Sequence, residues 1–339
     1  MALSKISPAG HTQYVGARNL IINGEMQVAQ RSSSHQVTTA SGGYFTCDRW
    51  RYSQFGGYAA DIDATMSQET DTPNNTFKNS FKFLVGTGAT VAAGDAITIE
   101  QMIEGQDIVR LAQGTSDAKK FTVSFFVKAS IAGTYCISLH SGASFSSNRS
   151  HIKEYTISSA NTWEHKTLTV DGDTSGTWAE DNTAGLSLAF TLGAGSNYQG
   201  SADTWSNSDY FKTSNQTQLT ETTNATWQVT GVQLEVGEQA TPFEHRSYAD
   251  ELRRCQRYYE TSGITLVTNV AGVFPSGQWC VTKRARPTIT ITPAGGSGGV
   301  ISPIYNGGNI TDLSDRQSWF QSLNHSQNEL STVIGVAEL

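Results

Sequence analysis

From residue 19 to residue 245 the chain reads as short runs in which apolar and polar positions alternate. In FTVSFFVK the residues Phe121, Val123, Phe125 and Val127 share one face. TYCISLH does the same with Tyr135, Ile137 and Leu139, and LSLAFTL with Leu186, Leu188, Phe190 and Leu192. A period of two marks a strand with one buried face. Gly- and Asn-containing turns separate the runs, and no helical stripe intervenes. The pattern predicts an all-β fold, an antiparallel two-sheet sandwich over 19–246, with Phe121, Val123, Phe125, Leu188 and Phe190 facing its core. In TWQVTGVQLEV the parity slips between Val229 and Val232, at Thr230-Gly231. A slip of one residue would turn the rest of the strand inside out, so a β-bulge is expected there.

One helix is predicted, over 247–260, ending near Gly263. Ser247 can cap it, with Asp250 at the third helical position. Tyr248, Leu252, Cys255 and Tyr259 then form a single apolar stripe. About three turns cannot stand alone, so the stripe must pack on a neighbour, either in a junction between two domains or near a symmetry axis. After it, ITLV, QWCV and TITIT resume β patterning in a small C-terminal β domain, 261–339. PAGGSGG at 293–299 reads as a flexible connection within that domain. Residues 1–18 are polar and broken by Pro8, Gly10 and Gly16, which predicts an extended arm.

Charge narrows the partners. Charged residues make up 16% of the chain, against about 25% in ordinary soluble proteins. The net charge is −7, and no stretch concentrates Lys and Arg as a phosphate-binding surface requires, so nucleic acid is excluded. Arg253, Arg254 and Arg257 read as solvated helix charges. Cys47, Cys136, Cys255 and Cys280 lack metal or disulfide spacing and are expected as free thiols. No signal peptide is read at the start, and no apolar run approaches a membrane span, so synthesis in a reducing cytoplasm without membrane insertion is expected.

Several long blocks carry a resemblance. RNLIINGEMQVAQR (18–31), YFTCDRW (44–50), YTISSANTWEHKTLTVDGDTSGTW (155–178), GAGSNYQGSADTW (193–205) and VTGVQLEVGEQATPFEHRSYADELRRCQRYYE (229–260) resemble a widespread class of phage and prophage tail-fibre proteins. RARPTITI (284–291) and VAEL (336–339) resemble the C-terminal domain of that class more weakly. The resemblance implies a virion component with a jelly-roll, carbohydrate-binding-like sandwich. It also implies assembly as a homotrimer alongside other tail or head proteins, and contact with a host cell-surface glycan. A purely architectural or decorating virion role and a polysaccharide depolymerase are the rival readings.

The candidate chemistry favours binding without catalysis. Gly295-Gly296-Ser297-Gly298-Gly299 matches GxSxG but lacks the strand before and the helix after that a nucleophile elbow needs. DGDTSG at 171–176 imitates the start of a calcium loop through Asp171, Asp173 and Ser175, yet its twelfth position is Asn182 and no helices flank it. Asx turns explain the same residues. Glu180-Asp181 and the pair Glu25 and Asp48 show no sign of facing each other across a cleft, as a glycosidase would require. No cofactor or metal is called for. Aromatics remain: sugar rings present C–H faces that stack on Trp and Tyr. Tyr198, Trp205 and Tyr210 fall in a long polar stretch without periodicity, 197–211, and Tyr305 and Trp319 form a second candidate set. In the first stretch, Trp205 and Phe211 are also the residues expected to pin the loop to the sandwich.

Overall fold

The structure is a computed structural model that describes residues 18–37, 42–57, 63–146, 149–266, 276–285, 287–293, 317–319 and 329–339. The alternating runs assemble two antiparallel sheets. One sheet runs in the order β1 (Ser34–Val37), β4 (Asp63–Glu69), β5 (Ser80–Thr87), β13 (Thr226–Val236), β7 (Phe121–Ala129) and β10 (Glu164–Val170). The other runs β12 (Trp205–Ser206), β9 (Ser150–Ile157), β8 (Gly133–Ser141), β11 (Ala184–Ala194), β6 (Ala96–Glu104), β3 (Arg51–Phe55) and β2 (Gly43–Tyr44). Phe121, Val123 and Phe125 on β7, and Leu186, Leu188 and Phe190 on β11, have no exposed surface. Each such side chain contributes about 1.5–3 kcal/mol on burial. Phe125 meets Phe190 edge to face at 5.0 Å, and Phe190 lies 5.1 Å from Trp227. The expected sandwich and its core are what the strand pairing gives.

The bulge sits where the parity slips. The register of β13 against β7 skips between Thr230 and Gln233, and Gly231 adopts φ +62°. A Cβ at Gly231 would meet the Phe77 ring at 2.9 Å. The slip returns Val232 and Leu234 to the core. Beyond it β13 pairs with the opening of the sandwich: Leu20 donates to Leu234 and Val232 donates to Gly24, both at 2.9 Å. The Asn19 amide completes this seam, giving a hydrogen bond to Val232 and taking one from Leu234.

Helix α2 spans Tyr248–Gln256, after a single four-residue turn α1 (Gly105–Ile108). Ser247 caps α2 by accepting from the Asp250 amide at 3.2 Å. The helix is shorter than the apolar spacing predicts because Tyr259 instead opens strand β14 (Tyr259–Leu266). Its buried face also differs. Tyr248 is 56% exposed, while Glu251 and Cys255 are buried. Glu251 has a reason to be inside: it accepts the Asn23 amide at 2.6 Å and lies 3.4 Å from Arg246.

The C-terminal strands form one sheet of β14, β18 (Glu329–Val336) and β16 (Thr288–Pro293), beside a pair of β15 (Ser276–Gln278) and β17 (Gln317–Trp319). α2 lies where this unit meets the sandwich. There Arg257 makes a bidentate pair with Glu104, both bonds at 2.8 Å, and the Tyr258 hydroxyl donates to Glu104 at 2.6 Å. The expected arm, apart from Arg18, and the 294–299 connection with its GxSxG match lie outside the described residues. Among the described residues no helix is long and apolar enough to cross a membrane.

Glu104 makes this junction pH-dependent. Burial pushes its carboxyl up, but hydrogen bonds from Arg257 and Tyr258 outweigh that and hold it below its ordinary 4.5. A carboxyl depressed by folding stabilises the protein above its unfolded pKa, and the contribution is lost as pH falls through the folded value. Glu104→Gln should therefore cost about 2 kcal/mol at pH 7. In urea melts it should also show a shallower loss of stability below about pH 4.5 than the parent. Identical acid limbs would contradict this assignment.

Candidate functional site

The outer face of a sandwich sheet ordinarily meets water. On β6, β8 and β11 the outward residues are polar or small, as that rule requires: Thr98, Glu100, Ser138, His140, Ser187, Ala189 and Thr191. None of them is exposed. Gly142 and Ser144 reach Ser187 and Glu100, while the chain from 195 to 217 covers His140, Ala189 and Thr191 as a third layer on the seven-stranded sheet. Its ends are tied by Gly195 donating to Asp95 (2.8 Å), Asn197 to Ala93 (3.0 Å) and Thr217 to Thr134 (2.7 Å). Phe211, fully buried, packs with Ala96, Ala189 and Ala194 beneath it. The Thr191 hydroxyl donates to the Phe211 carbonyl, and the Gln216 amide to the Thr191 carbonyl.

This cover places Tyr198 in a cluster of rings. Tyr198 meets Phe145 at 5.7 Å, Phe211 at 5.6 Å and Phe55 at 6.4 Å, each edge to face. Phe55 and Phe145 stack in parallel at 4.7 Å with 5° between their planes, and Phe145 stacks in turn on Phe211 at 4.2 Å. Phe55 remains 48% exposed, so the stack rises from a buried ring to an open one. The Tyr198 carbonyl accepts from Phe211 (2.9 Å) and Lys212 (3.2 Å), which fixes the backbone under its ring. Phe145 holds φ +59°, a left-handed conformation that costs an ordinary side chain roughly 1–2 kcal/mol. Its three ring contacts offset that strain. Polar groups adjoin the stack. Asn197 and Gln199 flank Tyr198 and are exposed. Ser144, next to Phe145, donates to the buried carboxylate of Glu100, which also takes Arg51 (2.7 Å) and Ser53 (2.5 Å).

Of the expected site residues, only Tyr198 joins this cluster. Trp205 is half-buried beside Trp178 (5.5 Å) and His151 (5.2 Å), and its indole N–H donates to the Asp171 carbonyl at 2.8 Å. Tyr210 lies over Gly200, where a Cβ would come within 2.4 Å of its ring. Both therefore hold the cover in place, and Phe211 is its deepest anchor. Trp319 belongs to β17, paired with Ser276, and Tyr305 lies outside the described residues. Phe55 and Phe145 had no signal in the sequence beyond the last ring of RYSQF and a single ring in SGASFSSN.

The polar clusters do not offer open chemistry. His140 bonds Asp209 through Nδ1 at 2.7 Å and Ser138 through Nε2 at 2.9 Å. The order Asp209–His140–Ser138 is that of a serine hydrolase relay. Ser138 and His140, however, have no exposed surface, and the Phe211 ring lies 4.4 Å from the imidazole. The relay satisfies buried groups under the cover. Asp173 receives Arg149 (Nε, 2.8 Å) and Asp171 pairs with Lys120 at 3.0 Å, so the calcium-like loop spends its carboxylates on cations. Glu25 is bonded by His245 at 3.0 Å and Asp48 by the Gln30 amide at 3.0 Å. Burial pushes both of those carboxyls up. Among the described residues no group of three His, Cys, Asp or Glu is placed to hold a metal.

No protein-family model matches the chain, and no curated protein matches its sequence. Among solved structures it is similar to the enzymatically active domain of bacteriophage CBA120 tailspike protein 4, at 16% identity and TM-score 0.36. That match covers 65% of this chain and spans only 22% of the tailspike chain. It is also similar to a putative sugar binding protein from Bacteroides thetaiotaomicron (11% identity, TM-score 0.36, 65% of this chain and 100% of that one). A family 11 carbohydrate-binding module from Clostridium thermocellum matches at 12% identity and TM-score 0.31, over 57% of this chain and 90% of that one. The sandwich assignment stands on the strand pairing itself.

Phe211→Ala should cost about 3–5 kcal/mol, the range for emptying a buried aromatic site. Hydrogen exchange should then lose protection at the amides of 198, 211 and 212, while β7 and β11 stay protected. Full retention of protection across 195–217 would show that the cover does not depend on this anchor.

Proposed function

We propose that this chain is a non-catalytic glycan-binding module of a tailed-phage virion, a fibre or adhesin component that contacts a host surface polysaccharide. One observation carries the reading: an exposed ring, Phe55, is held in a fixed orientation by Phe145 and Tyr198 above a buried anchor. A flat, half-open aromatic face with amides at its border suits the C–H face and hydroxyls of a pyranose. Rings already packed in place lose little freedom when a ligand arrives, which favours binding by a small contact. The absence of a catalytic role is supported by the sealed state of Ser138 and by the occupation of Glu100 and Glu104 by Arg51 and Arg257.

The virion setting rests on the sequence blocks that resemble tail-fibre proteins. From that resemblance we also propose assembly as a homotrimer in contact with other tail or head proteins, after synthesis in the host cytoplasm. Mass measurement at micromolar concentration should find three chains per particle, and a stable monomer would remove the trimer.

Binding is tested by Phe55→Ala and Tyr198→Ala, alone and together, on the purified protein against host surface polysaccharide. Phe55→Ala should weaken binding at least tenfold and cost about 1–3 kcal/mol of stability, the worth of its pairs with Phe145 and Tyr198, so the comparison is made below the variant's unfolding transition. Unchanged binding by the folded double variant would exclude this cluster. No binding by the parent protein would favour an architectural virion component, and release of reducing ends from the polysaccharide would favour a depolymerase.

A further inference from the structure

A second set of rings lies outside both apolar clusters of the sandwich, on the outer face of the six-stranded sheet. On β7 the buried Phe125 and Val127 face the core, so Phe126 and Lys128 point the other way. Phe126 pairs across the strands with His165 of β10, and their rings lie 4.7 Å apart. Phe77 continues the row at 5.4 Å from Phe126, and Phe243 and His245 follow at 5.3 and 5.2 Å from Phe77. Trp163, two residues before His165, shares this face and carries Lys128 at 5.3 Å from its ring. The bulge makes the row possible. A Cβ at Gly231 would come within 2.9 Å of Phe77 and 3.2 Å of Phe126.

The row is open and fixed. Trp163, Phe126 and Phe243 are half-buried, His165 and His245 are exposed, and only Phe77 is sealed. The Trp163 indole N–H donates to Asp71 at 3.2 Å, and Lys128 pairs with the same carboxylate. Rings held in this way lose little freedom when a ligand arrives. Charge then decides what suits them. Lys128 is answered by Asp71, and His245 by Glu25 at 3.0 Å. Burial and the neighbouring Lys166 push the His165 pKa down, which keeps its imidazole neutral at pH 7. Neither Lys128 nor the two imidazoles asks for a further counter-charge. Asn161, Thr162 and Thr167, exposed beside Trp163 and His165, offer amide and hydroxyl groups instead.

We infer that this face is a second binding surface, for an extended neutral polysaccharide whose sugar C–H faces lie along Trp163, His165, Phe126 and Phe243. The inference rests on the glycan reading above and adds to it a contact on the opposite face of the sandwich from Phe55. A single sugar covers one ring of the row, and a chain covers several, so affinity rises with chain length. An anionic chain would bring charge to a surface whose own charges are already paired.

The test uses the full chain with amide NMR titration and three probes: cellohexaose, a flat neutral chain that offers C–H faces throughout; cellobiose; and the C6-oxidised, uronate form of the hexaose. Cellohexaose should bind saturably, at least tenfold more tightly than either of the others, and should shift the amides of 126, 163 and 165. Trp163→Ala should weaken it at least tenfold. His165→Ala, at an exposed strand position, should weaken it at least threefold without loss of the folded spectrum, which keeps the test sound if the Trp163 variant unfolds. Shifts confined to 55, 145 and 198 would overturn this surface while leaving the Phe55 site standing. No hexaose binding, equal affinity for cellobiose or for the uronate chain, or unaffected binding by both folded variants would also overturn it.

Discussion

A guanidinium removed from water costs several kcal/mol unless a counter-charge and hydrogen bonds offset it, and Arg49, 1% exposed, is such a group. Its partners come from three distant parts of the chain. Glu338 supplies the carboxylate, the Met102 carbonyl on β6 accepts at 2.6 Å, and the Tyr258 ring lies 3.5 Å from the guanidinium carbon. Withdrawing Glu338 would leave a bare charge inside, and the carbonyl and the ring fix where the guanidinium sits. The last residues, the exit of α2 and the edge of the sandwich are therefore bound into one body. Arg31 adds a second cation to Glu338 at 2.9 Å, and Arg284 takes the carbonyls of Ala337 and Glu338. The bidentate pair of Arg257 and Glu104 adds a second, part-buried ion pair two residues further along β6.

The same rule governs the outer face of the seven-stranded sheet. Ser138, His140, Ser187 and Thr191 are typical of strand positions that face water, and drying them is tolerable because each finds a partner. Asp209 and Phe211 of the cover answer His140 and Thr191, His140 answers Ser138, and the Gly142 carbonyl answers Ser187. A cover of apolar residues would have left those groups unpaired. The polar composition of 195–217, which reads in the sequence as a solvated loop, is what allows it to lie flat on a polar sheet. Rigidity follows from that contact, and rigidity is what places Tyr198 against Phe145 and Phe55.

Period-two alternation made the inner core legible, since Phe121 through Phe190 obey it residue by residue. The bulge was legible for the same reason: parity at Val229 and Val232 can be reconciled in only one way. The helix was half legible. Ser247 and Asp250 announce its start through a local bond, but its end depends on Tyr259 joining β18, a partner some seventy residues away. Tyr248 and Glu251 traded faces because Glu251 answers the Asn23 amide, and no spacing rule records that need. The aromatic cluster was legible only at Tyr198. Phe55, Phe145 and Phe211 come from three separate segments, so a sequence window shows each as a single unremarked ring.

Phe145 is the residue whose energetics bear most on function. A turn that needed only to close could hold Gly or Asn at φ +59° with little strain. Phe pays that strain and recovers it through contacts with Phe55, Tyr198 and Phe211, each aromatic pair contributing about 0.5–1.5 kcal/mol beyond area burial. Phe211 is the buried ring over Ala189 and Ala194, and Phe145 packs against it from outside. What the strained ring adds is position. It extends the anchored stack outward by one layer and sets the plane of Phe55, the ring that remains open to solvent. Strain held in place by surrounding contacts is a usual companion of a site that must present a surface rather than merely enclose one.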